Sequence, residues 1–313
     1  MSLFRGKGIR KSKTQIEVNY IVKDFLVEGS ITVVFGPPKQ GKTMFLLGLT
    51  KWIYKNTNMF IEYFDFDNPL IAMQDRRADE LWEELNDRFD YIHPEELEKN
   101  MRDEEALFVE AKEVLDALTK AADIGEKNYR NTVMIFDSAS DFCDETSDSS
   151  VKLFMSKLKR LRIAGATVIV LHHTNKRDPS YKGSTIFKSA SDNMYKLRNE
   201  YEDETGKTYI LEKDDDARFR VKDCAFKLSA EDFNMDILDY TEVCIPVHEQ
   251  LDIRKVTVTL RQNKAPMKQG ELLDKALETT SVNKNATAFL NKYEGKHWQS
   301  ELKGRTKIYS LIS

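Results

Sequence analysis

Cysteine is scarce in this 313-residue sequence: Cys143, Cys224 and Cys244 are odd in number and widely spaced, with no C-x-x-C pair. Neither a disulfide framework nor a zinc cluster is expected from them. No run of about 18 apolar residues occurs, so no membrane-spanning helix and no membrane partner is expected. The N-terminal MSLFRGKGIRKSKTQ is basic but lacks the apolar centre of a secretion signal. The expected location is the reducing cytoplasm. What the sequence does have is enough apolar content, 41%, for one large α/β domain of about 230–250 residues and a small appendage.

Charge is unevenly spread. Residues 1–13 hold five basic and no acidic side chains, and residues 261–313 hold ten basic and five acidic ones, so each end carries +5. Against a net charge of -4, the stretch between them carries -14. A phosphate-backbone partner would be drawn to the ends first. Residues 1–13 also read simply as a solvated basic tail.

The most informative stretch is Ile31–Thr50, ITVVFGPPKQGKTMFLLGLT. A β-branched, apolar run leads into GPPKQGKT, which fits G-x-x-x-x-G-K-[ST], and a helical apolar pattern follows. Gly36 and Gly41 let a phosphate approach the backbone. Amides from Gln40 to Thr43 can point into one concavity at a helix N-terminus, and Gly36, Pro37, Pro38, Lys39, Gln40, Gly41, Lys42, Thr43 and Met44 are the expected nucleotide-binding residues. Lys42 can reach the β- and γ-phosphates, and the Thr43 hydroxyl can ligate Mg²⁺. A nucleoside triphosphate site is expected here.

Two further strands carry acids. MFIEYFDFDNP reads as a buried strand with Asp65 and Asp67 on one face. Asp67 falls at its C-terminal edge, where open parallel sheets bind ligands. It is the first candidate to orient and deprotonate the attacking water, with Glu62 and Asp65 behind it; Asp-Asn-Pro also reads as a plain strand exit. TVMIFD, ending in Asp137, fits the buried strand that holds an acid against the Mg²⁺ shell. The Asp- and Ser-rich residues 140–150 read as a loop. TVIVLHH then brings His172 and His173 to the same edge; adjacent residues point to opposite sides of a strand, so a polar switch that feels the γ-phosphate is expected rather than a shared metal. The following TNKRDPSYKGST offers Lys176, Arg177, Tyr181 and Lys182, a mixture of cations and a ring that suits single-stranded nucleic acid and equally a solvated loop.

Taken in order, DFLVEGSITVVFGPPKQGKT, YFDFDNP, VMIFDS, LHHTNK and GST resemble the RecA-like ATPases, in particular the branch holding plasmid-type hexameric replicative helicases. The resemblance implies a RecA-like P-loop fold with a mostly parallel central sheet over residues 14–262. It implies ATP and Mg²⁺ as cofactors, with Lys42 and Thr43 on phosphate and metal, Asp137 as the metal-associated acid and His172 or His173 as sensor. That family usually has Glu where Asp67 stands. It also implies a ring, a hexamer, in which a neighbour supplies a cation across the gap; Lys222, with Arg220 second, in RFRVKD on an expected late strand, is the candidate. That segment also fits an exposed strand edge.

After VTVTL, the polar RQNKAPMKQG suggests a boundary near Pro266. Residues 267–313 resemble a small winged helix, with Lys303, Arg305 and Lys307 near the wing placed to meet duplex DNA; such pieces also dock proteins. The expected activity is an ATP-driven DNA helicase or translocase of a plasmid, phage or mobile element. A non-unwinding DNA-binding, annealing or loading ATPase, and more remotely a P-loop kinase, stay open.

Overall fold

The computed structural model describes residues 17–85, 87–100, 110–123, 125, 128–174, 185–263, 265–279 and 283–312. The first elements are β1 (Tyr20–Val22), β2 (Leu26–Val27), β3 (Ile31–Gly36), α1 (Lys42–Asn56), β4 (Phe60–Asp65), α2 (Leu70–Asp75), α3 (Ala78–Glu84) and β5 (Phe89–Ile92). There follow α4 (Pro94–Asn100), α5 (Ala111–Asp123), β6 (Thr132–Asp137), α6 (Ala139–Phe142), α7 (Asp148–Ile163), β7 (Thr167–His173) and α8 (Thr185–Ala190). Beyond them come β8 (Asn193–Asp203), β9 (Gly206–Lys213), β10 (Cys224–Ser229), β11 (Met235–Leu238) and α9 (Tyr240–Val243). The last are α10 (Val247–Asn263), β12 (Met267–Lys268), α11 (Gln269–Leu277), α12 (Lys284–Lys292), β13 (Trp298–Lys303) and β14 (Thr306–Leu311).

A nine-stranded sheet in the order β11-β10-β9-β8-β3-β7-β6-β4-β5 forms the frame. The strands from β8 to β5 run parallel, and β9, β10 and β11 extend the β8 edge antiparallel. This is a RecA-like P-loop fold. The parallel strands are buried on both faces because their side chains alternate between two cores. Ile31, Val33 and Phe35 of β3 join α5, α7 and α8 on one side, while Val34 joins Phe45, Leu46 and Leu49 of α1 on the other. β7 divides likewise, Val168 and Val170 against Ile169 and Leu171. Parallel pairing in register brings Gly36 beside His173, and Asp65 beside Asp137, at one edge of the sheet.

Several local expectations are revised. The charged stretch from Leu70, whose helical spacing predicts one amphipathic helix over 70–89, forms two short helices, α2 and α3, before β5. The Asp- and Ser-rich residues 140–150 are structured: Ser138 and Asp141 make a capping box for α6, and Ser147 caps α7. RFRVKD is not a strand; β10 begins after it, at Cys224.

The chain divides into two compact units at Tyr240/Thr241, where the expected boundary lay near Pro266. The reason is α10. Its VTVTL segment is β-branched, yet Ile253, Val256 and Leu260 recur at helical spacing and pack with Leu272, Leu273, Leu290, Trp298 and Tyr309, which makes α10 part of the second unit's core. That unit runs α10, β12, α11, α12, β13, β14, with its three strands antiparallel in the order β12-β14-β13. Among the described residues, no helix is long and apolar enough to cross a membrane.

Candidate active site

The phosphate loop joins β3 to α1. Gly41 caps α1 at φ 77, without a side-chain bond, and the first helical turn holds no acid. The first amides of the helix are therefore left to an anionic ligand. The loop is braced from below by β8 and β9. A Cβ on Gly36 would stand 2.6 Å from the Leu197 carbonyl oxygen, and one on Gly41 would stand 2.5 Å from the Tyr209 hydroxyl. Gln40 adds a bond, its Oε1 accepting from the Asn199 amide at 3.0 Å.

Lys42 is buried, and its Nζ donates to the carbonyls of Gly36 (2.9 Å) and Pro37 (2.8 Å). Burial lowers its pKa to about 8, against the opposing pull of Asp137, Asp67 and Glu145. Three carboxylates from three segments thus act electrostatically on one ammonium.

Each carboxylate has a different environment. Asp137 is fully buried at the end of β6; its Oδ2 accepts from the Tyr63 hydroxyl at 2.8 Å, and its Oδ1 has no hydrogen-bond partner. Burial, then the charge of Asp65, push its pKa up to about 7, opposed by the hydroxyls of Tyr63 and Thr43. Asp65, also fully buried, has its pKa raised by burial. Asp67 is partly exposed, and its pKa is lowered, chiefly by the hydrogen bond from His173 Nε2 at 3.3 Å. The expected shared strand face of Asp65 and Asp67 is not what forms: β4 ends at Asp65, and Asp67 lies in the turn beyond it. Glu62 sits lower on β4, beside Tyr129, away from this edge.

His172 and His173 diverge as expected. His172 is buried against Phe187, ring centroids 4.7 Å apart, and its Nδ1 donates to Glu145 Oε1 at 2.6 Å. His173 reaches Asp67. Glu145 was not anticipated: it lies in an irregular segment with no period to mark it, and only the fold brings it to His172. Tyr63 was also missed, although its alternation with Asp65 along β4 places both at the site.

The donor set suits Mg²⁺. No cluster of three or more metal-ligating side chains occurs among the described residues, so the protein alone builds no cage. A hydroxyl from Thr43 beside a buried Asp137 with one open oxygen is what a cation brought in with phosphates needs, since Mg²⁺ keeps its waters and takes few protein ligands. Next to α1, a cavity of about 130 Å³ is lined by Met44, Arg76, Arg77, Lys207, Leu228 and Phe233 among others.

An AAA domain model matches residues 9–179, more than half of the sequence. The chain belongs to the AAA domain family. In this AAA domain, a RecA-like P-loop ATPase domain, the match spans the phosphate loop, Asp67, Asp137 and both histidines. The flagellar accessory protein FlaH from Methanocaldococcus jannaschii is similar in structure, with a TM-score of 0.44 and 14% identity over 69% of this chain and 91% of that one. No curated protein matches the sequence.

Other expected site residues fall elsewhere. Lys222 is exposed and pairs with Asp24 Oδ2 at 3.0 Å. Arg220 offers its backbone oxygen to the Tyr20 hydroxyl. Lys176, Arg177, Tyr181 and Lys182 lie outside the described residues. In the second unit, Lys303 ends β13, 3.6 Å from Glu301, and Arg305 lies in the β13–β14 turn, whereas Lys307 is bound to Glu294 at 2.5 Å and to Asn291 at 3.0 Å.

Proposed function

We propose that the chain is a Mg²⁺-dependent ATPase acting on DNA as a ring-forming motor of the helicase or translocase type. The observation that carries the reading is the convergence of Lys42, Thr43, Asp67 and Asp137 on the carboxyl edge of the sheet. Amides of the phosphate loop bind the phosphates, and Lys42 neutralises charge on the β- and γ-groups. Thr43 and Asp137 would hold Mg²⁺, which would offset phosphate charge when bound. Asp67, ionised and aimed by His173, orients the attacking water and takes its proton. Once the γ-phosphate leaves, His173 loses a charged neighbour and reports this to the chain following Thr174.

The DNA part of the reading draws on the second unit. Its helix and strand order agrees with a winged helix, and Lys303 and Arg305 at the hairpin turn suit phosphate contacts. A rival reading, a RecA-like ATPase that coats, anneals or loads DNA without unwinding it, is favoured by the pairing of the exposed Lys222 with Asp24 of its own chain. ATP turnover with and without single-stranded DNA, followed by displacement from a forked duplex, separates the two. DNA-stimulated turnover with displacement supports the motor, and ATP-gated binding without displacement supports the rival. Turnover indifferent to DNA but raised by a small acceptor would favour a kinase. Particle mass with ATP and an oligonucleotide tests the hexameric ring.

A further inference from the structure

Asp65 is the most deeply buried acid of the β4 exit, and its oxygens are already in use. Its Oδ1 accepts from the amides of Asp67 (3.2 Å) and Asn68 (3.0 Å), both oxygens accept from Asn68 Nδ2 (3.1 Å), and Oδ2 accepts from the Tyr91 hydroxyl (2.7 Å). A carboxylate offers about four lone-pair sites, so none is left for a water. The same turn is pinned from its far side. His93 Nδ1 accepts from the Glu95 amide at 3.2 Å, which leaves the proton on Nε2, and Nε2 donates to the Asn68 carbonyl at 2.8 Å. Arg76 Nη1 donates to Asn68 Oδ1 at 3.2 Å. The Tyr91 ring is itself fixed, stacked on Trp82 at 4.2 Å and beside Tyr63 at 5.6 Å.

We propose that Asp65, Tyr91 and His93 are positioning residues, which lock the 65–68 turn so that the Asp67 carboxylate faces His173 and Lys42. The inference rests on the reading of Asp67 as the group that acts on the attacking water. It assigns Asp65, the runner-up base by sequence, a holding role, and it gives β5 and the start of α4 a function in a reaction they do not touch. Geometry of this kind matters because a displacement of about 1 Å in a reacting group can cost about a hundredfold in rate.

The test uses the full chain. Tyr91→Phe keeps the ring stack and removes one donor; kcat for ATP is expected to fall about tenfold, with KM within about twofold, because the phosphate loop is untouched. The Mg²⁺ requirement should not move, since Asp137 keeps its bond from Tyr63. Asp65→Asn, whose amide oxygen still accepts the two backbone donors, should retain clearly more turnover than Asp67→Asn, while Asp65→Ala should not. Hydrogen exchange of the Asp67 and Asn68 amides without nucleotide should quicken in Tyr91→Phe. Wild-type kcat or unchanged exchange in Tyr91→Phe overturns the proposal, as does Asp65→Asn being as inert as Asp67→Asn. If the wild-type protein turns over no ATP, the role of Asp67 falls, and the exchange measurement still decides whether Tyr91 holds the turn.

Discussion

On the proposed reading Lys42 binds the triphosphate as a cation, yet burial holds it, in the free protein, at a pKa of about 8. Triphosphate binding replaces the Gly36 and Pro37 carbonyls with anionic oxygens, which raises that pKa. Only the protonated form binds well, so the sign is fixed: the Lys42 contribution to affinity is level below pH 8 and falls above it, as binding must then take up a proton. With a free pKa of about 8, the apparent Kd should grow about 25-fold between pH 7.5 and 9.5, or ~1.9 kcal/mol. Phosphate's own last ionisation lies near 6 and does not enter this window. The assay is titration with a non-hydrolysable ATP analogue in buffers of differing ionisation heat, which also counts protons taken up. Lys42→Arg, which cannot lose its proton, should bind more weakly but with no slope above pH 8. A flat wild-type profile across this range, with no proton uptake, would refute the account of Lys42.

Three other outcomes follow from the packing. Gly41→Ala forces a side chain into a left-handed conformation and against Tyr209, so nucleotide affinity should drop by about 1–3 kcal/mol, read by the same titration. Asp192 is buried and accepts from the Ile31 amide at 2.9 Å, from Arg162 at 2.7 Å and from Arg218 at 3.2 Å; Asp192→Ala should cost about 3 kcal/mol, a fall in melting temperature on the order of 10 °C, and Asp192→Asn about half of that. Calorimetry checks it, and an unchanged melting temperature would count against the buried network. Lys222→Ala mixed with wild-type chains should depress ATP turnover beyond its share if Lys222 leaves Asp24 to act on a neighbour, whereas simple dilution would confine it to the Asp24 pair.

The parts of the fold legible in the sequence are those whose signal is local. The run Ile31–Phe35 with its glycine loop, the apolar TVMIFD and TVIVLHH, and the periodic face of α1 each carry their own evidence. The unit boundary was not legible, because VTVTLRQN has strand-like composition and becomes helical only when Ile253, Val256 and Leu260 meet the second core. The helical turn at residues 139–142 was hidden for a similar reason: its stability comes from the Ser138–Asp141 box, a short-range device in a segment whose composition suggests a loop.

The site shows the same limit in sharper form. Asp65 and Asp137 end neighbouring strands and Asp67 lies two residues beyond Asp65; sequence position ranks them but does not show what each oxygen meets. Their neighbours do. Asp65 spends its oxygens on the backbone of its own turn and on Tyr91, so it shapes the chain and has no open lone pair. Asp137 gives one oxygen to Tyr63 and keeps the other open in a buried place, which suits a hydrated cation. Asp67 alone is partly exposed and held ionised by a histidine, which suits a carboxylate that orients a water. Tyr63 and Tyr91, adjacent in space and 28 residues apart in sequence, bind Asp137 and Asp65 respectively and leave Asp67 to His173. Sequence locates the acids, and their hydrogen-bond partners divide the work among them.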